Sequence, residues 1–257
     1  MKIVTLFKLI YLKYFGSTHR EKDYSSFVLA ERLANIIYPK FSCTDYAKIW
    51  LKDHNFFEYY EFYEKDHNPA FVGKYYRSAD RKYFLNSLLS LVEHLPGDTA
   101  ECGVYYGATS HLICESIKNT AKTHYAFDSF EGLSRPSTQD GEYWHSNDLT
   151  SNEDSVRQNL FPYSHNLKIC KGWIPDSFQI IGSQQFCFLH IDVDLYQPTL
   201  DALQFFYPRM VKQGIIICDD YGSEFCPGAK KAFDEYFSNK PEQIVHVPTC
   251  QAFIIKQ

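Results

Sequence analysis

The sequence lacks several patterns that would assign a protein to a common functional class. It has eight cysteines but no pair at CxxC spacing, which excludes the usual structural zinc site and predicts free thiols in a reducing compartment, the cytoplasm. It has no basic tract, and a formal net charge of −5 excludes a protein that binds the nucleic-acid backbone through a basic face. The GxGxxG fingerprint of dinucleotide-binding proteins is also missing.

Long uncharged apolar runs are absent as well. The opening segment, residues 1–15, is rich in apolar side chains, but Lys8 and Lys13 interrupt it and no small-residue cleavage site follows. A membrane-spanning helix needs about 20 nearly uncharged residues. The segment is therefore predicted to be an amphipathic helix that packs on the body of the protein or on a partner, with peripheral contact to a membrane surface as the alternative.

Two regions of different character divide the chain. Residues 1–76 lack a strand-turn rhythm and are predicted to form helices and loops with breaks at Pro39 and Pro69, as a lid, a cap or an oligomerisation element. Residues 77–257 begin with a helical pattern over Ala79–His94 and then alternate between strand and helix. Such alternation builds a mostly parallel α/β sheet with helices on both faces.

The predicted strands of this second region are Thr99–Val104, His124–Asp128, Leu167–Cys170, Phe186–Asp192 and Gly214–Cys218. The predicted helices are Ala108–Lys118, Ser151–Leu160, Pro198–Met210 and Gly228–Asn239. Two short runs, Ile244–Val247 and Ala252–Lys256, flank a turn and predict a C-terminal antiparallel hairpin.

Acidic side chains lie at or next to the ends of four of these strands. Glu101, Asp128, Asp192 and Asp219 each come from a different strand. In open α/β sheets, ligands bind beyond the carboxyl ends of the strands, where the strand order reverses. The sequence therefore predicts one pocket that collects these carboxylates.

The last two of these strands carry further acids. Asp192 and Asp194 are two residues apart, so on a continuing strand they point to the same side, and Asp219 is followed by Asp220. Crowded carboxylates repel one another unless a cation lies among them or some stay protonated. Three or four hard oxygen ligands are typical of a site for Mg²⁺ or Ca²⁺, so a cation site is predicted.

A glycine turn follows the first predicted strand. Gly103 and Gly107 allow the backbone to approach a nucleotide-type ligand closely, but a carboxylate at Glu101 would repel a pyrophosphate placed on this loop. Asp128 at the end of the second strand is placed to accept hydrogen bonds from ribose hydroxyls. Together, Glu101 and Asp128 fit S-adenosylmethionine better than NAD, and an NAD-linked oxidoreductase is disfavoured.

Six ordered motifs in this region resemble the macrocin and mycinamicin O-methyltransferase family. These bacterial S-adenosylmethionine enzymes methylate sugar hydroxyls in natural products. The motifs are ECGVYYGATS from residue 101, FDSFEGL from 127, KGWIPDSF from 171, IDVDLYQPT from 191, YPRMVKQG from 207 and IIICDDYG from 215.

The resemblance implies a class I methyltransferase, Rossmann-like fold with a seven-stranded sheet. It implies cofactor contacts from a set at the glycine turn and the second strand: Glu101, Gly103, Gly107, Ser110, Asp128 and Ser129. It also implies Mg²⁺ held by Asp192, Asp219 and Asp220. For the general base, it leaves two alternatives, His145 in the loop after the second strand and Asp194.

The resulting expectation is a metal-dependent O-methyltransferase that acts on a sugar or glycoside hydroxyl. The alternatives are a catechol-like or other vicinal diol acceptor, and a non-catalytic member that binds the cofactor or a partner. The expected partners are a small-molecule acceptor and a second copy of the chain, with no nucleic acid and no integral membrane span.

Overall fold

The computed structural model describes residues 3–37, 53–63 and 79–257. Contacts divide the chain into two compact units, Met1–Lys52 and Asp53–Gln257. The predicted breaks at Pro39 and Pro69 and the predicted domain boundary after residue 76 lie outside the described residues.

In the first unit, residues 3–37 form two helices, α1 (Ile3–Phe15) and α2 (His19–Ile37), which pack against each other. The helix predicted for the opening segment is confirmed by α1. Along the described ranges, no helix combines the length and the apolar character that a bilayer crossing requires.

The described residues of the second unit form six α-helices and one sheet. The helices are α3 (His54–Glu61), α4 (Ala79–Val92), α5 (Ala108–Ile117), α6 (Glu153–Asn159), α7 (Tyr196–Phe206) and α8 (Pro227–Phe237). The strands are β1 (Asp98–Cys102), β2 (His124–Asp128), β3 (Leu167–Lys171), β4 (Phe186–Ile191), β5 (Met210–Cys218), β6 (Val245–His246) and β7 (Ala252–Ile255).

The seven strands form a single sheet in the order β3-β2-β1-β4-β5-β7-β6. Strands β1 to β5 are parallel to their neighbours, whereas β7 runs antiparallel to β5 and to β6. The strand order reverses between β1 and β4, which places the topological switch point at the carboxyl ends of these two central strands. The seven-stranded, mostly parallel sheet and the C-terminal hairpin confirm the predicted fold.

Helices cover both faces of the sheet, as alternation along β2 shows. Tyr125 and Phe127 join the core that contains the α7 residue Phe206 and the α8 residue Phe233. The intervening Ala126 belongs to a separate core cluster that includes Cys114 of α5. Because successive strand residues point to opposite faces, the near-continuous apolar character of the central strands follows from burial on both sides.

The largest differences from the predicted element boundaries lie between α7 and β5. A helix was expected over Pro198–Met210, but α7 ends at Phe206, a short 3-10 turn covers Tyr207–Arg209, and Met210 already belongs to β5. Pro208 lies in this turn, and proline cannot donate the hydrogen bond that would continue the helix. β5 therefore begins four residues earlier than the predicted Gly214.

Candidate active site

The glycine turn after β1 brings the ends of two central strands into direct contact. Gly103 has a positive φ of 89°, and a Cβ atom at this position would lie 1.8 Å from the carbonyl oxygen of Asp192. Gly107 also has a positive φ and caps the N-terminus of α5, where a Cβ atom would meet Leu160. The β1 end can therefore approach the β4 end this closely only because position 103 carries no side chain.

We expect Gly103→Ala to lower the free energy of unfolding by about 2–4 kcal/mol, because it adds both a backbone clash and a disfavoured φ. Urea denaturation followed by circular dichroism measures the change. Gly182→Ala is the matched control, since the Cβ atom it adds would have the Gln184 side chain at 3.4 Å as its nearest neighbour, and it should cost less than about 0.5 kcal/mol. An equal loss in both variants would contradict the structural argument.

Asp128 shapes the glycine turn from the neighbouring strand. Its Oδ2 accepts hydrogen bonds from the backbone N–H groups of Val104 at 2.7 Å and Tyr105 at 3.0 Å. Its Oδ1 accepts one from Phe130 at 2.7 Å. Because each carboxylate oxygen can accept more than one hydrogen bond, Oδ1 retains the capacity to accept one from a ligand hydroxyl.

A cavity of about 260 Å³ opens beside this turn, at the switch point of the sheet. Among its lining residues are Gly103, Asp128, Ser129, Asp192 and Asp194. The structure thus brings together three of the six residues predicted to contact a cofactor, one predicted metal ligand and one candidate base. The other three residues of the cofactor set, Glu101, Gly107 and Ser110, do not line the cavity.

Glu101 lies beneath the cavity in a buried polar network. Its Oε1 is 2.9 Å from Nδ1 of His190, its other oxygen accepts a hydrogen bond from the Ser110 hydroxyl, and Nε2 of His124 is 3.7 Å away. Burial alone would raise the pKa of Glu101, but hydrogen bonds from His124 and His190 outweigh it and lower the pKa. Glu101 therefore positions other groups under the turn, and its direct contact with a cofactor stays a prediction.

Four carboxylates meet where β4 and β5 end, and we call Asp192, Asp194, Asp219 and Asp220 the acid cluster. The two strands are parallel neighbours with Ile191 beside Cys218, which sets Asp192 next to Asp219. Candidate ligand atoms of Asp192, Asp219 and His190 lie within 4.8 Å of one another, as do those of Asp194, Asp220 and Cys226. The cluster has the density of donors that a cation site requires.

Three of the four carboxyl groups in the acid cluster have raised pKa values. Burial, and then the charge of Asp219, raise the pKa of Asp192 to about 6. Burial and the charge of Asp192 raise the pKa of Asp194 to about 7. Burial and the charge of Asp194 raise the pKa of Asp220 well above its usual range. These carboxyl groups are costly to ionise together without an added cation.

Asp219 differs from the other three because its pKa is lowered, and it has positive or polar partners on both carboxylate oxygens. Although burial would raise its pKa, the hydrogen bond from His190 and the charge of Arg81 lower it. Nη1 of Arg81 is 2.7 Å from its Oδ2, while Nε2 of Gln251 donates to its Oδ1 at 2.6 Å. Nε2 of His190 lies 3.4 Å from the same Oδ1. Asp219 is thus held as a carboxylate in a fixed orientation.

Arg81, His190 and Gln251 were not among the site residues predicted from the sequence. For His190 a signal existed, because it lies two residues before Asp192 on β4 and so shares a side of the strand with it. Arg81 and Gln251 come from α4 and from the residue before β7, and no spacing in the sequence connects either of them to Asp219.

The acid cluster fits a divalent cation that prefers oxygen ligands. Oδ2 of Asp220 is buried and has no hydrogen-bond partner among the described residues, and an unpaired buried carboxylate oxygen is costly unless something else satisfies it. Four of the six candidate ligands, all but His190 and Cys226, are carboxylates, the type that Mg²⁺ and Ca²⁺ bind. The predicted ligands Asp192, Asp219 and Asp220 all belong to this cluster.

His145, the other candidate base, lies on the surface. Its side chain is 79% exposed, its nearest ionic neighbour is Asp148 at 3.6 Å, and it does not line the cavity.

Asp140, which was not predicted, fixes an earlier part of the loop that contains His145. It accepts hydrogen bonds from the backbone N–H groups of Ser137 at 2.7 Å and Tyr196 at 2.6 Å. The loop is therefore fixed to the start of α7 in an arrangement that leaves His145 facing solvent.

The strand order, the glycine turn at the switch point and the cavity beyond the parallel strands define the class I methyltransferase fold. Solved structures of this class share it. The O-methyltransferase NovP matches with a TM-score of 0.60 at 24% identity, over 70% of this chain and 80% of that one. The calicheamicin methyltransferase CalS11 matches with a TM-score of 0.61 at 14% identity, over 95% of this chain and 96% of that one.

Residues 83–252 match the family model described as Macrocin-O-methyltransferase (TylF). The chain belongs to this family, which confirms the resemblance seen in the six sequence motifs.

Two curated relatives come from Streptomyces. Demethyldecarbamoylnovobiocin O-methyltransferase of Streptomyces niveus is 31% identical over 160 residues, which are 56% of this chain and 59% of the relative. The 8-demethyl-8-(2,3-dimethoxy-alpha-L-rhamnosyl)-tetracenomycin-C 4'-O-methyltransferase of Streptomyces olivaceus is 29% identical over 152 residues, 54% of this chain and 58% of the relative. The matched regions thus span about three fifths of the length of each relative.

Proposed function

We propose that this protein is an O-methyltransferase that moves a methyl group from S-adenosylmethionine to a hydroxyl of a sugar or glycoside, with a divalent cation at the acid cluster. The observation that carries the proposal is the position of Asp192 and Asp194. Both line the cavity at the switch point and both belong to the acid cluster. A methyl donor in the cavity and an acceptor at the cluster would therefore meet at these two residues.

The charge of the cavity supports a sulfonium cofactor. Asp128, Asp192, Asp194 and Asp201 line it, and its lining within the described part of the chain contains no lysine and no arginine. Such a surface attracts a cationic ligand and repels a pyrophosphate. Apolar side chains, including Trp173 and Ile174, form another part of the wall and suit the flat face of an adenine ring.

Family membership and the names of the relatives support the acceptor class. The Streptomyces olivaceus relative is named for a compound that carries a rhamnosyl group. CalS11 is described as a TDP-rhamnose 3'-O-methyltransferase. We infer a sugar or glycoside acceptor for this chain as well.

In the proposed reaction, the acceptor oxygen attacks the methyl carbon of the sulfonium and forms a carbon–oxygen bond. The carbon–sulfur bond breaks, and its electron pair stays on sulfur, which becomes a neutral thioether. The hydroxyl proton goes to a base, for which we propose Asp194, because it lies in the cavity wall and its burial-raised pKa suits a proton acceptor near neutral pH.

Asp192, Asp219 and Asp220 would hold Mg²⁺ in this scheme. A bound cation stabilises negative charge on a hydroxyl oxygen that is losing its proton. Within the chain, His190 and Gln251 fix the orientation of Asp219, while Gly103 lets the cofactor turn lie against Asp192. Alignment of donor and acceptor by these groups would contribute several kcal/mol to the rate enhancement.

Cofactor binding is the direct test. We expect the EDTA-treated full chain to bind S-adenosylmethionine and S-adenosylhomocysteine with a Kd on the order of micromolar in isothermal titration calorimetry, because the cavity lies beside the acid cluster and has its own lining residues. NAD is the control ligand and should not bind, since its pyrophosphate would meet the acidic wall. Binding of NAD without binding of the sulfonium compound would refute the methyltransferase proposal.

An assembly of two or more copies through residues 1–76 and a cytoplasmic location stay predictions from the sequence. Size-exclusion chromatography with light scattering measures the first.

A further inference from the structure

Arg81 places a fixed positive charge on the acid cluster. Its Nη1 is 2.7 Å from Oδ2 of Asp219 and 3.5 Å from Oδ1 of Asp220. Its Nε donates a hydrogen bond to the carbonyl oxygen of Thr249 at 3.0 Å. The side chain is only 22% exposed, so the guanidinium is held from two sides.

This guanidinium contacts two of the carboxylates proposed to bind the metal. A Mg²⁺ ion lies about 2.1 Å from its oxygen ligands, so an ion on Oδ2 of Asp219 would come within roughly 5 Å of Nη1 of Arg81. Two positive charges at that separation repel strongly in a buried site. When the guanidinium and a divalent cation are both bound to these carboxylates, each therefore binds more weakly than it would alone.

We propose that Arg81 is the resident counter-cation of the acid cluster and that it competes with a divalent metal ion for Asp219 and Asp220. Metal binding displaces the guanidinium from Asp219. Arg81 thereby raises the metal concentration at which the site becomes occupied. The inference rests on the metal site of the proposed function. Arg81 lies outside residues 83–252, the range that matches the family model.

The competition has a clear thermodynamic consequence. Without Arg81, the acid cluster would keep the buried His190 beside Asp219 but would lose a compensating positive charge, so the metal-free protein would be less stable. A metal ion would then meet no competing cation and would bind more tightly. Ligand binding stabilises the folded state by an amount that grows with the logarithm of the ligand concentration divided by Kd, so the added metal should raise the melting temperature more in the variant than in the unaltered protein.

The test is calorimetric titration of the EDTA-treated full chain with Mn²⁺ as the probe. We expect Arg81→Gln to lower the Kd for Mn²⁺ at least about tenfold, because it removes a like charge beside the ion. Arg157→Gln is the matched control, since it removes the same charge from an exposed pair with Glu153, and it should change the Kd less than about twofold. An unchanged or higher Kd in Arg81→Gln would overturn the inference.

A measurement on the unaltered protein covers the case in which Arg81→Gln does not fold. The Nε–H resonance of Arg81 is assigned by its loss in Arg81→Lys and followed by NMR during titration with Mg²⁺. We expect this resonance to shift or to be lost by exchange with water as the metal saturates the site. A resonance that stays unchanged at saturation contradicts displacement.

The possible results test the competition by Arg81, the metal site and methyl transfer separately. Equal Mn²⁺ affinity in the unaltered protein and in Arg81→Gln removes only the competition. No Mn²⁺ binding in any folded variant removes the metal site and the competition together, while S-adenosylmethionine titration still tests methyl transfer independently.

Discussion

Replacing Asp220 by asparagine is expected to abolish methyl transfer and leave cofactor affinity nearly unchanged. The variant keeps the shape of the side chain but removes a charged ligand from the proposed metal site. Loss of several kcal/mol of charge stabilisation corresponds to a rate decrease of at least about 10³-fold. Asp220 does not line the cofactor cavity, so the Kd for S-adenosylmethionine should stay within about twofold of the original value.

The same substitution is expected to raise the melting temperature of the metal-free protein. The folded-state pKa of Asp220 is raised, since burial and the charges of Asp194 and Asp192 disfavour its ionised form. A carboxyl group with a raised folded-state pKa destabilises the fold increasingly as pH rises above its unfolded-state value. A neutral asparagine removes this penalty, so the gain should grow as the pH rises from about 4 towards the raised folded-state pKa.

Initial rates with radiolabelled S-adenosylmethionine, calorimetry of cofactor binding and thermal unfolding in EDTA measure these three effects. Asp154→Asn is the matched control, because Asp154 is an exposed acid on α6 and should show none of them. Full turnover by Asp220→Asn in the presence of EDTA would exclude a catalytic metal at the acid cluster.

The second large effect separates the two candidate bases. We expect Asp194→Asn to lower kcat by about 10²–10⁴-fold, the usual contribution of general base catalysis. His145→Ala should change kcat less than about twofold, because its side chain is 79% exposed and lies away from the cavity. A large loss in His145→Ala with full activity in Asp194→Asn would reverse the assignment.

The pH profile provides an independent measure of the same base. Asp194 accepts a proton only when deprotonated, so kcat/KM should rise with pH through its pKa. That pKa is about 7, raised by burial and by Asp192, and a bound cation would favour the carboxylate and lower it. The acid limb should therefore have a midpoint at or below pH 7, and Asp194→Asn should lose this limb.

Much of the fold was determined by the sequence alone. β2 has the bounds that its apolar run predicted, and β1, β3 and β4 differ from the predicted strands by only a few residues at their ends. Local patterns of this kind carry the information because burial on both faces requires continuous apolar side chains, while the turn after β1 has glycine at two positions of positive φ, Gly103 and Gly107. The C-terminal hairpin could be predicted for the same reason, from two apolar runs around a turn.

The acid cluster was also visible in the sequence. Parallel strands end at the same edge of a sheet, so carboxylates that follow β4 and β5 must meet if the strands are neighbours. The pairing of Ile191 with Cys218 fulfils this condition. The end of α7 was not predictable from apolar spacing, because Phe206 and Met210 lie four residues apart and continue the helical pattern past the turn at Pro208.

Tertiary structure alone decided which charges face the acid cluster and which do not. Arg81 lies 138 residues before Asp219 in the chain, and only the packing of α4 beside the sheet brings its guanidinium to that carboxylate. Glu101 shares its motif with Gly103, yet it points into a buried network with His190 rather than into the cavity. The sequence determined where each strand ends and which acids follow it, because these depend on neighbouring residues. The partners of those acids depend on contacts between distant elements, which only the folded chain defines.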